Sequence, residues 1–121
     1  MTKRAFAEVT LDASPSEVSN ALVQMMWSSR IRVKSQTVTE KPFTIHLYGE
    51  HSASLRSWGE MIRITITEKG NGSKVKAESE AKVSNTIFDY GQNKENLEIL
   101  LNQLVMKFGN TSSLVIEERT F

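Results

Sequence analysis

The chain has 121 residues, 39% of them hydrophobic, with no cysteine and a formal net charge of +1. That length suits one domain that buries roughly two thirds of its unfolded surface without staples, while the missing cysteines exclude a disulfide framework, a thiolate nucleophile and a cysteine-bound zinc. The balanced charge gives no mandate for nucleic acid, no run approaches the ~20 apolar residues that span a bilayer, and MTKRAFAEVTLDA lacks the apolar stretch of a signal peptide, so the expected location is the cytoplasm.

Ala5, Ala7, Val9 and Leu11 alternate with polar or bulky neighbours and predict a first strand. Ser14-Pro15-Ser16-Glu17 then reads as a helix start: Ser14 caps, Pro15 suits the first position, and Glu17 completes a capping box. Val18, Ala21, Leu22, Met25 and Met26 follow as one apolar stripe, ending near Trp27-Ser28-Ser29. Ile31 to Thr39 is rich in β-branched residues and predicts a second strand. Pro42 breaks it, Phe43, Ile45 and Leu47 resume with period two, and Gly49 to Ala53 reads as a loop.

From Glu60 the alternation is clean, with Glu60, Ile62, Ile64 and Ile66 on one face. Carried backward, it puts Trp58 and Arg56 on that face too. Lys69-Gly70-Asn71-Gly72 is a turn. Beyond it Val75, Ala77, Ser79, Ala81 and Val83 face inward and Lys74, Lys76, Glu78, Glu80 and Lys82 outward. A four-residue loop at Lys69 to Gly72 pairs Ile66 with Val75 and Ile64 with Ala77, and sets Arg63 opposite Glu78 outside.

Leu97, Leu100, Leu101, Leu104 and Phe108 form the stripe of a second helix, widened by Ile99 and Val105. Asn93 or Asp89 is its expected cap, and Gly109 its end. Residues 1–109 thus make one domain, and 110–121 a tail whose Leu114 to Ile116 can form an edge strand or stay loose. Short loops imply antiparallel neighbours. The predicted class is α+β: a curved antiparallel sheet of strand, helix, four-strand meander and helix, with the long C-terminal helix packed across it.

This order resembles the helix-grip superfamily of START-like, birch-pollen-allergen-like and polyketide-cyclase-like proteins. Ser54-Leu55-Arg56-Ser57-Trp58-Gly59-Glu60 and Phe88-Asp89-Tyr90-Gly91-Gln92-Asn93 are similar to paired signatures in small bacterial members of it. The resemblance implies the fold and a tendency to hold apolar small molecules between sheet and long helix. The chain is shorter than the larger members and lacks their second short helix, which implies a modest groove. No catalytic residue is implied, since fold does not fix function.

The candidate site follows from Arg56 and Glu60. With the strand unbroken, Arg56 anchors a carboxylate or phosphate, Trp58 forms an apolar wall, and Glu60 or Asp89 orients the arginine. Leu97 and Leu101 continue the wall, and Asp89, Tyr90 and Asn93 line the mouth. The alternative is a β-bulge at Gly59 that swings Arg56 outward, or a structural ion pair with Asp89 or Glu60. The Asp89–Asn93 stretch likewise reads as a turn and cap, with a positive φ at Gly91.

His46 should point outward and His51 lie in a surface loop; without HxH or HxxxH spacing they make no metal site. No carboxylate pair or GxSxG elbow suggests catalysis. Met25 and Met26 read as core, and Arg30, Arg32 and Lys34 as a solvated stripe without the aromatics of a nucleic-acid surface. The expected function is non-enzymatic and cofactor-free: a small binding protein for an amphipathic or apolar ligand. The competing reading is an interaction or homodimerisation module with a filled core.

Overall fold

The chain alternates between two hydrophobic periods, and the elements follow them. The structure, a computed structural model, describes residues 3–52, 59–82 and 91–120. In chain order the elements are β1 (Lys3–Leu11), α1 (Pro15–Ser28), β2 (Ile31–Thr39), β3 (Thr44–His51), β4 (Glu60–Lys69), β5 (Gly72–Ala81), α2 (Gln92–Phe108) and β6 (Val115–Thr120). The strands form one antiparallel sheet in the order β2-β3-β4-β5-β1-β6. α2 packs over β1 and β5, and α1 over β2, β3 and β4, so both helices cover the same sheet face.

That face is apolar because each strand gives it every second side chain. Ala5, Ala7, Val9 and Leu11 meet Val75 and Ala77, then Ile62, Ile64 and Ile66, then Ile45 and Leu47, all buried. Val18, Leu22 and Met26 of α1 and Leu97, Leu100, Leu101 and Leu104 of α2 close the core with no exposed surface.

The β4–β5 hairpin has the expected register, with Ile66 opposite Val75, Ile64 opposite Ala77 and Arg63 opposite Glu78. Lys69 also pairs with Gly72, so the turn proper is Gly70-Asn71, with φ of 59° at Gly70 as a primed hairpin turn requires. α1 carries the capping box: the Ser14 hydroxyl accepts from the Glu17 N–H, and the Glu17 carboxylate accepts from the Ser14 N–H.

Several expectations are corrected. Residues 49–51 are not loop: β3 runs to His51, pairing Gly49 with Ile62 and His51 with Glu60. Gly49 sits so close to the Met26 and Ile31 side chains that a strand with a larger residue there would need them to move. α2 is capped by Gly91 in the left-handed region, φ 76°, with no side-chain cap; Asn93 lies inside the helix. Ile99 is 40% exposed and does not widen the core stripe. The register of β2 against β3 shifts between Val33 and Ser35, which breaks the simple alternation of Arg32 and Lys34. The tail supplies β6, which pairs with β1 as an edge strand.

Candidate functional site

At one end of the covered sheet face the chemistry changes from apolar to polar. His51, at the end of β3, and Glu60, at the start of β4, are direct cross-strand partners, and Ser79 follows one row further on β5. α2 shows the same change along one face: Gln92, Asn93 and Asn96 are buried in its first turns, Leu97, Leu100, Leu101 and Leu104 further on. Positions 92, 93, 96 and 97 share a face because of the 3.6-residue period. The polar turn of the helix therefore lands on the polar end of the sheet.

The contacts form a directed chain. Gln92 Nε2 donates to Asn96 Oδ1 at 2.7 Å, and Asn96 Nδ2 donates to Glu60 Oε1 at 2.8 Å. The same Asn96 amide reaches Ser79 Oγ at 3.4 Å; Ser79 donates to Asn93 Oδ1 at 2.8 Å, and Asn93 Nδ2 donates to the Lys3 carbonyl at 3.1 Å. Glu60 has no exposed surface. His51 Nδ1 lies 2.8 Å from the Glu60 Oε1 that Asn96 engages, but out of line for a hydrogen bond. A buried carboxylate is tolerated only with such partners.

His51, Asn96 and Gln92 also form one wall of an open cleft of about 490 Å³. Ser28 and Ser29 at the end of α1 and Ile31 at the start of β2 lie across it, and Glu95, Ile99 and Gln103 of α2 extend its rim. The cleft has a polar floor and two isoleucines as apolar surface.

On the outer sheet face at the same end, Tyr48 Oη donates to Glu50 Oε2 at 3.1 Å and Lys82 Nζ lies 3.0 Å from Glu50 Oε1. Lys82, followed by the Tyr48 hydroxyl, holds the Glu50 carboxyl below its ordinary pKa. Burial, then the neighbouring Glu50, pushes the Tyr48 phenol above its ordinary value.

Of the residues singled out from sequence, Glu60 points inward as the alternation requires. Arg56, Trp58, Asp89 and Tyr90 lie outside the described residues. β4 begins at Glu60, and Gly59 has φ 106°, outside extended backbone. Asn93 is a buried member of the polar chain, and Leu97 and Leu101 belong to the buried core. His46 faces outward, its Nε2 3.0 Å from Thr39 Oγ1. His51 is a correction: it is no surface residue, with a side chain only 14% exposed. From sequence, His51, Gln92 and Asn96 are not among the site residues, and Ser79 is only an inward-facing strand residue. The signal for His51 was present, since Ile45, Leu47, Gly49 and His51 keep one parity. Among the described residues, no three metal-ligating side chains converge.

A six-stranded antiparallel sheet covered on one face by two helices, the long one in the C-terminal third, is the helix-grip arrangement of α+β folds. The comparison of structures agrees. The crystal structure of Ara h 8.0201, a Bet v 1-like allergen, is similar with a TM-score of 0.51 and 10% sequence identity, covering 87% of this chain and 97% of that one. At that identity the likeness shows the fold. No family model matches the chain, and no curated protein matches it.

Proposed function

We propose that the protein binds a small amphipathic molecule, without catalysing its conversion, in the cleft between the end of α1, the ends of β2 and β3, and α2. The observation that carries this reading is the cleft itself, whose volume of about 490 Å³ opens onto His51, which lies beside the buried Glu60, and Asn96, which is hydrogen-bonded to it. Ligand pockets of roughly 300–1,000 Å³ with a few convergent polar groups are the usual small-molecule sites. The polar head would meet His51, Gln92 and Asn96, and the apolar part Ile31 and Ile99. Leu97 and Leu101 belong to the core beside the cleft and have no exposed surface. The fold's resemblance to helix-grip proteins supports a binding role, and a soluble cytoplasmic setting belongs to the same proposal.

Native mass spectrometry of the protein as purified, at two concentrations, tests it. A small co-purifying mass, absent from Ile99→Arg, is expected; Ile99 is exposed enough for arginine to block the cleft while sparing the core. A bare protein whose His51 and Asn96 resonances ignore added amphipathic alcohols would overturn the reading. The rival reading, a homodimer joined through an edge strand, has β2 and β6 at the two sheet edges in its favour. The shifted register of β2 and the charges Glu117, Glu118 and Arg119 on β6 are features that discourage such pairing. A mass that doubles with concentration would favour it.

A further inference from the structure

We infer that the cleft does not end at Gln103 but continues between the two helices as far as Lys107, and that its ligand is elongated, with a hydrogen-bonding head at one end, an anionic group at the other and an apolar span between. The inference rests on the cleft being the binding site and adds the shape and chemical class of its occupant.

A second hollow, of about 200 Å³, lies further along the helices and is lined by Ala21, Gln24, Met25, Ser28, Gln103 and Lys107. It shares Ser28 of α1 and Gln103 of α2 with the cleft, one residue from each wall. Positions 96, 99, 103 and 107 fall on one face of α2, and 21, 25 and 28 on one face of α1, so each wall is a single helix face. Neither shared side chain bridges the join. Gln103 Nε2 donates to the Ile99 carbonyl at 3.0 Å, and Ser28 Oγ to the Gln24 carbonyl at 3.1 Å, each within its own helix. The middle of the groove then offers hydrocarbon and thioether surface from Ile99, Met25 and Ala21. A peptide there would need partners for its N–H and C=O groups, and the Ser28 and Gln103 donors are spent; an apolar span needs none. From Asn96 to Lys107 the helix rises about 16 Å, at roughly 1.5 Å per residue. Lys107 carries the one ammonium or guanidinium among the described lining residues. It is exposed, its Nζ lies 5.7 Å from the centre of the Phe108 ring, and among the described residues it has no carboxylate partner. Its flexible stem lets that charge meet an anion at the end of the groove.

Two probes test this, hexanol and ω-hydroxydodecanoate, followed by the methyl resonances of Ile99 in the cleft and Met25 in the second hollow. Assignment is by comparison with Ile99→Val and Met25→Leu. Hexanol should move Ile99 alone, and ω-hydroxydodecanoate both. Lys107→Glu should weaken ω-hydroxydodecanoate by roughly threefold or more at low salt, since it replaces a weak exposed attraction by a repulsion, and Lys107→Gln should weaken it less. Both variants should bind hexanol as the parent does. If ω-hydroxydodecanoate moves Ile99 and leaves Met25 still, the groove stops at Gln103; the inference is then overturned and the binding proposal stands. An affinity for ω-hydroxydodecanoate unchanged in Lys107→Glu would likewise overturn the two-ended class of ligand. Failure of both probes to move Ile99 would overturn the inference together with the binding proposal.

Discussion

Asn96, on α2, donates from Nδ2 to Glu60 Oε1, on β4, at 2.8 Å, and neither side chain is more than 3% exposed. One amide thus ties the helix to the polar end of the sheet and helps to satisfy a buried acid. Asn96→Ala should cost about 1.5–3 kcal/mol, the range for a hydrogen bond to a charged group. Asn96→Asp should cost more, because it sets a second carboxyl against Glu60. Urea unfolding at pH 7 measures both. A loss below about 0.5 kcal/mol for Asn96→Ala would mean that the contact contributes nothing.

The outer trio of Tyr48, Glu50 and Lys82 gives a pH signature with two limbs. The folded pKa of Glu50 is lowered, chiefly by Lys82. Its contribution is therefore present above the ordinary glutamate value of 4.5 and lost as pH falls through the lower folded value. The pKa of Tyr48 is raised, first by burial. Its contribution is intact below 10.0 and lost as pH rises beyond it. Glu50→Gln should flatten the acid limb of a stability–pH curve relative to the parent, and Tyr48→Phe the alkaline limb. Parallel curves for parent and variants would contradict the assignment.

Two glycines should respond unequally to alanine. A Cβ on Gly72 would meet the Leu11 carbonyl oxygen at 2.2 Å, a backbone atom held in the sheet. A Cβ on Gly49 would meet the Met26 and Ile31 side chains at 2.7 and 2.9 Å, and methionine can move. Gly72→Ala should cost about 3 kcal/mol or more and Gly49→Ala about 1–2 kcal/mol, by the usual cost of overpacking. The thermal midpoints of the two variants should rank in that order, and the reverse order would show that β1 yields more readily than the core.

The capping box of α1 is local and should behave so. Ser14→Ala removes the acceptor of the Glu17 N–H and should cost about 1 kcal/mol. Ser14→Asp should restore most of it, since an aspartate caps and also complements the helix dipole. Circular dichroism melts of the three proteins check this; an unchanged melt for Ser14→Ala would place the helix start elsewhere.

Regular structure was legible wherever one face is buried. Ile62, Ile64 and Ile66 announce β4 because only an alternating backbone buries all three. Ser14 and Glu17 announce α1 because the box is local in sequence. The polar site was half legible. Glu60 inward follows from parity alone. Its partners do not, because Asn96 lies 36 residues away and an asparagine in a helix looks like a solvated residue until the sheet beneath it is known. Asn93 was read as a cap for the same reason: caps are the common use of asparagine near a helix start, and only the tertiary contact with Ser79 reveals the other use. His51 was misread because Gly49 resembles a breaker; its role in the strand, to let Met26 and Ile31 approach, is visible only in three dimensions.

The place of β1 between β5 and β6 has a consequence for synthesis. Of the six described strands, β1 is made before the others yet has no sheet neighbour within the next 60 residues: Leu11 pairs with Ser73, and Ala7 waits for Ala77 and then for Ile116. The meander from β2 to β5 pairs each strand with the one just made. A nascent chain can therefore build its middle first, with Ala5, Val9 and Leu11 uncovered until the later elements emerge, and this high sequence separation slows closure of the sheet. Within this sheet, β1 is made before its partners and seated after them.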